Sequence, residues 1–96
     1  MLRIQTPDHA GSRDQAVSLV ATLSDDLCGQ TVLLDCANLL VGTPSFLDEV
    51  VKQVLQVRDA GTLEVSDAPD RARELLERSA ANRGVRERLR VAVRLG

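Results

Sequence analysis

The chain has 96 residues, a formal net charge of −2, 44% hydrophobic and 27% charged residues, which fits one globular domain over 1–96 and excludes a disordered tail. A single Phe with no Trp or Tyr excludes aromatic platforms for single-stranded nucleic acid and leaves Leu, Val and Ala to build the core. Residues 1–48 hold two Arg against six Asp, and residues 49–96 hold ten basic against eight acidic groups, so no global field draws in nucleic acid or an anionic membrane.

The pattern alternates strand and helix. Leu2 to Gln5 reads as a short strand ended by Pro7 and Gly11. Ser12 then caps a helix with Gln15 as its capping-box partner, and Ala16, Leu19, Val20, Leu23 and Leu27 form its apolar stripe up to Gly29. Thr31 to Cys36 is a nearly continuous apolar run, suited to an interior strand of a parallel sheet. A turn from Ala37 to Pro44 leads to a second helix carrying Leu47, Val50, Val51, Val54 and Leu55 inward and ending at Gly61. Its β-branched residues are poor helix formers, so tertiary packing must hold it.

Thr62 to Val65 is a third strand. A third helix runs from about Pro69 to Ala81, with Pro69 in its first turn and Ala72, Leu75, Leu76 and Ala80 buried. Finally Leu89, Val91, Val93 and Leu95 alternate with Arg88, Arg90, Ala92 and Arg94, the period of a strand with one wet face. The expectation is an α/β fold, β-α-β-α-β-α-β, with about four strands in one layer and helices packed on the sheet.

Chemistry-bearing residues are few. Cys28 and Cys36 are eight apart with His9 as the lone imidazole, so neither a Cys/His metal site nor a catalytic triad can be assembled. No phosphate-binding glycine loop or HExxH motif occurs, and the reading is of no enzyme, no metal and no cofactor. The N-terminus lacks a secretory apolar stretch, no run is long enough to span a membrane, and two reduced cysteines fit a cytoplasmic protein. Eleven Arg to one Lys, with abundant Ala, Val and Leu, fits a GC-rich bacterial genome.

The informative segment is LDCANLLVGTPSFLDEVV, Leu34 to Val51, where a strand ends at Asp35 and a helix opens on the hydroxyls of Thr43 and Ser45 around Pro44. Helix N-termini at strand ends favour anions and often form the ligand or partner surface of open α/β sheets. On local rules Ser45 caps this helix with Asp48 three positions on, Asp35 bonds turn N–H groups, and Phe46, as the sole aromatic, is either core or an interface anchor. Asp48 and Glu49 lie on adjacent helix faces and cannot serve as a paired acid and base.

The same segment resembles the STAS domain superfamily, the fold of bacterial anti-sigma-factor antagonists, and most nearly its STAS-like group without assigned function. Leu34–Asp35 matches the family's strand end, and Thr43-Pro44-Ser45-Phe46-Leu47 aligns onto its Asp-Ser-Ser/Thr-Gly-Leu helix start. Pro44-Ser45-Phe46-Leu47-Asp48-Glu49, Ser12-Arg13 and LEVSDAPDRARELLERSA resemble the STAS-like group, and the likeness covers roughly residues 12–85. The family's Asp before the hydroxyls is replaced by Gly42 or Thr43, and its Gly after them by Phe46.

The resemblance implies a non-enzymatic regulatory module that docks on a protein partner, a GHKL-type ATPase (the anti-sigma kinase), through Gly42, Thr43, Pro44, Ser45, Phe46, Asp48 and Glu49. It also implies phosphorylation at Ser45, with Thr43 second. Two alternatives stand beside it: a structural subunit that forms homodimers or docks through its Arg-rich last strand, and a small-molecule or nucleotide-binding domain.

Overall fold

The computed structural model describes residues 1–92. Four strands form one parallel sheet in chain order: β1 (Leu2–Gln5), β3 (Thr31–Asp35), β5 (Thr62–Ser66) and β6 (Leu89–Val91). Two further two-residue strands, β2 (His9–Ala10) and β4 (Val41–Gly42), pair in parallel with each other. The helices are α1 (Arg13–Val20), α2 (Pro44–Val51), continued by a π-helical stretch over Lys52–Val57, and α3 (Asp70–Asn82). This is the expected α/β architecture, with the small β2–β4 pair added in what the sequence pattern had as loops.

Register explains where the core lies. Leu2, Val32 and Leu63 stand in one row across the sheet with Leu89, and Ile4, Leu34, Val65 and Val91 in the next, all on one face. Strands that succeed one another in chain order through right-handed crossovers carry all their helices on the same face. Accordingly α2 packs between α1 and α3 over those two rows. Phe46, Leu47, Val50, Val51, Val54 and Leu55 of the central helix are all essentially inaccessible. The opposite face presents Arg3, Gln5, Glu64 and Arg90 with half-buried Leu33, an alternation that makes this parallel sheet one-sided.

Several boundaries differ from the sequence expectation for local reasons. Ser12 caps α1 and forms the capping box with Gln15 as expected, but the helix stops at Val20. The Thr22 hydroxyl turns back onto the Leu19 carbonyl at 2.8 Å, and Asp26 accepts from the Cys28 N–H in a turn. Leu27 is still fully buried, delivered by a loop that bonds the Arg58 carbonyl at 2.8 Å. Gly29, at φ +75°, therefore serves the turn into β3 rather than a helix end.

The second helix closes at Asp59, with φ +56°, before Gly61 is reached. Widening to π geometry there lets Arg58 N–H reach Gln53 O at 3.0 Å and keeps both Val54 and Leu55 inward. One of its free carbonyls is taken by Arg88, whose guanidinium donates to Leu55 O at 2.7 Å and, beyond the helix end, to Ala60 O and the Asp59 carboxylate. Arg88 thus faces inward from a 3₁₀ turn over Arg86–Arg88, and β6 begins one residue later. Pro69 is the residue before the first turn of α3, not within it. Val93, Arg94 and Leu95 of the expected last strand lie outside the described residues.

Candidate functional site

The strand ends Gln5 and Asp35 are neighbours in the sheet, and the chain leaving each is tied to the other. Asp35 is the anchor. Its carboxylate accepts the Ala37 N–H at 2.9 Å and the Arg3 guanidinium. Those two bonds, the backbone one foremost, hold its pKa below the ordinary carboxylate range. Leu40 and Val41 N–H groups both donate to Asp8 O, at 2.8 and 3.0 Å, and Thr43 N–H donates to Ala10 O at 3.0 Å. Gly42 sits in β4, where a Cβ would come within 3.1 Å of Leu39 Cδ2. Leu39 is buried and plugs the turn from below.

The consequence is a rigid turn that holds two large apolar side chains in solvent: Leu40 is 73% exposed and Val41 51%. Next to them α2 begins. Thr43, not Ser45, is the cap, its hydroxyl accepting Phe46 N–H at 3.2 Å, with Pro44 following it. Ser45 is consequently released from capping, and its side chain is exposed at the positive end of the helix. Phe46 is fully buried in the core and offers nothing at the surface.

Asp48 and Glu49 face neighbouring helices. Asp48 accepts from Ser79 Oγ (2.6 Å), Arg83 Nε (2.9 Å), Arg83 Nη2 (2.6 Å) and Arg13 Nη1 (2.9 Å). Glu49 accepts from Gln53 at 2.7 Å and Arg13 at 3.2 Å. The network bolts α1, α2 and α3 together. The Arg83 guanidinium beside it holds the Asp48 carboxyl well below the usual range, and Gln53 does the same for Glu49 to a lesser degree. Asp48 in turn raises Arg13 and Arg83.

One depression adjoins the exposed turn and a second lies along the start of α2. A recess of about 980 Å³ lies between the loop Thr6–Asp8, the start of α1 (Asp14, Gln15, Ser18) and Asn38 with Leu40. A smaller groove of about 290 Å³ runs between Pro44, Ser45 and Asp48 of α2 and Arg71, Arg78 and Ser79 of α3, with Arg13 alongside.

No protein-family model, curated protein or solved structure matches the chain. The site's meaning therefore rests on its own geometry. Among the described residues no group of three or more His, Cys, Asp and Glu is placed to hold a metal ion, and His9 is exposed beside Asp8. No helix of the described residues is long and apolar enough to cross a membrane. Cys36 is buried, and burial pushes its thiol up to about 12, whereas Cys28 is exposed.

Of the residues expected at a partner surface, the structure brings Gly42, Thr43, Pro44 and Ser45 together at one end of the molecule, buries Phe46 and Glu49, and holds Asp48, partly exposed in the groove wall, on Arg83, Arg13 and Ser79. Leu40 and Val41, exposed beside Gly42, are not among those expected residues. The signal was present in Asn38-Leu39-Leu40-Val41, three large apolar residues in a turn that has room to bury only one. Among the described residues the arginines of the last segment are mostly occupied internally: Arg83 on Asp48, Arg86 on Leu89 O and Glu77, Arg88 on the π-helix end, leaving Arg90 on the open sheet face.

Proposed function

We propose that the protein is a cytoplasmic regulatory module of the anti-sigma-factor-antagonist kind, which docks on a protein partner through the turn after β3 and the start of α2. The observation that carries this reading is the pair of exposed apolar side chains, Leu40 and Val41, pinned by backbone hydrogen bonds beside exposed Pro44 and Ser45. Apolar anchors already held in place lose little conformational freedom on binding, the economy expected of a docking surface. The partner implied by the resemblance is a GHKL-type ATPase. Such a kinase would transfer the γ-phosphoryl group of ATP to Ser45 Oγ, releasing ADP and the hydroxyl proton. Ser45 is the better acceptor because the Thr43 hydroxyl is engaged as the cap. A phosphoryl group adds about −1.5 to −2 charge at the centre of the surface, enough to switch docking off.

The test is capture of the ATPase from lysate of the source cells by wild type, Leu40→Asp and Ser45→Glu, with intact mass measured on the recovered bait. Capture by wild type alone, with an 80 Da heavier species, about one phosphoryl group, supports the module and its switch. Equal capture by all three proteins refutes the surface. A second reading, small-molecule binding, is favoured by the recess of about 980 Å³ at the strand ends. A thermal shift with nucleotides that is abolished by Asn38→Leu would support it.

A further inference from the structure

The groove between the start of α2 and α3 is lined by Arg13, Arg71 and Arg78 with the hydroxyls of Ser45 and Ser79, against Asp48 as the one carboxylate in its wall. Asp48 is already neutralised from two sides, by Arg83 and Arg13. Among the described residues Arg71 and Arg78 share a single counter-charge, Glu74, at 3.4 and 2.9 Å, and their side chains remain 63% and 58% exposed. Around this groove, among the described residues, the guanidinium groups outnumber the carboxylates that answer them. On the far side of Leu40 the sign reverses, because Asp8 and Asp14 line the neighbouring recess.

We propose that this groove receives the carboxylates of a short acidic segment of a protein partner. Resting on the docking reading above, the inference adds the partner's chemistry: acidic side chains over Arg71 and Arg78, next to an apolar patch over Leu40 and Val41. Planar guanidinium groups bind carboxylates with two parallel hydrogen bonds, and two of them on one helix, seven positions and so about 10 Å apart along its axis, match acidic residues about three positions apart in an extended peptide. A longer polyanion such as nucleic acid does not fit. Its phosphates would continue past Leu40 onto Asp8 and Asp14, on a chain whose net charge is −2.

The probe is a fluorescein-labelled hexaglutamate, with hexaglutamine and hexathymidylate as controls, followed by anisotropy at about 25 and 300 mM NaCl, a span over which the screening length falls severalfold. Wild type should bind hexaglutamate in preference to both controls and lose it at the higher salt. Arg71→Glu/Arg78→Glu should weaken it at least tenfold, and circular dichroism checks that the doubly substituted protein is folded. Failure of wild type to bind hexaglutamate, equal binding by the double variant, or tighter binding of hexathymidylate overturns the proposal. Leu40→Asp separates this inference from the docking reading. If it loses the ATPase while Arg71→Glu/Arg78→Glu keeps it, docking stands and the acidic-segment inference falls. If hexaglutamate binding depends on the two arginines while no ATPase capture depends on Leu40, the groove stands and docking falls.

Discussion

Replacing Asp48 by Asn tests whether the polar bolt across the three helices holds the fold together. The substitution keeps the shape of the side chain, removes its charge and turns one acceptor oxygen into a donor facing a guanidinium. The Ser79 hydroxyl, in a residue only 6% exposed, exchanges a charged acceptor at 2.6 Å for a neutral amide oxygen, a loss of about 1 kcal/mol. Arg83 binds both Asp48 oxygens with each side chain 25% exposed, and a charge-assisted pair discounted for that exposure contributes about 1–2 kcal/mol. The expected destabilisation is therefore about 2–3 kcal/mol, or a fall in Tm of roughly 10–20 °C for a domain of this size. With no Trp or Tyr in the chain, urea unfolding is best followed by far-ultraviolet circular dichroism.

The pH dependence has a definite sign. Asp48 titrates below its ordinary value in the folded protein, so its contribution is present above the unfolded-state carboxylate range, about pH 4, and is lost as pH falls through the lower folded value. Wild type and Asp48→Asn should differ fully at pH 7 and converge in acid. A difference below about 0.5 kcal/mol at pH 7 would place the network among solvent-screened surface pairs and refute the reasoning.

Other expectations concern the helix start and the core. Thr43→Ala should cost about 1 kcal/mol as a lost cap, while Ser45→Ala should stay within about 0.5 kcal/mol, both read from urea midpoints. Phe46→Ala should cost about 3–5 kcal/mol, most or all of the stability of so small a domain, whereas Phe46→Leu should leave a cooperative unfolding transition. In the native protein iodoacetamide should label Cys28 at once and Cys36 only after denaturant is added, as read by mass spectrometry.

The fold was legible wherever periodicity and capping agreed. Ser12 with Gln15 marked the start of α1, and the spacing of Ala72, Leu75, Leu76 and Ala80 marked the buried stripe of α3. Local rules failed where two of them competed. Thr43 and Ser45 are both good caps, and Pro44 decides between them by taking the first helical position, where its missing N–H costs nothing. Arg88 fitted an alternating strand, yet the open carbonyls of the π-helical stretch drew it inward. That contact joins positions 28 to 33 apart in sequence and no local window contains it. The same limit hid the fate of Asp48, whose partners lie on α1 and α3.

The order of the strands in the sheet has a kinetic consequence. Because sheet order follows chain order, each strand closes a loop of similar size onto the one before it: Leu2 meets Val32, Val32 meets Leu63, and Leu63 meets Leu89. Loop-closure entropy rises only logarithmically with length, so three successive closures of about 30 residues face nearly equal barriers, and none must wait for a distant segment. A chain emerging from the ribosome can therefore assemble this sheet by accretion, adding one strand and its covering helix at a time. Leu89 and Val91 then complete the two rows, and Arg88 seals the central helix only when the final strand arrives.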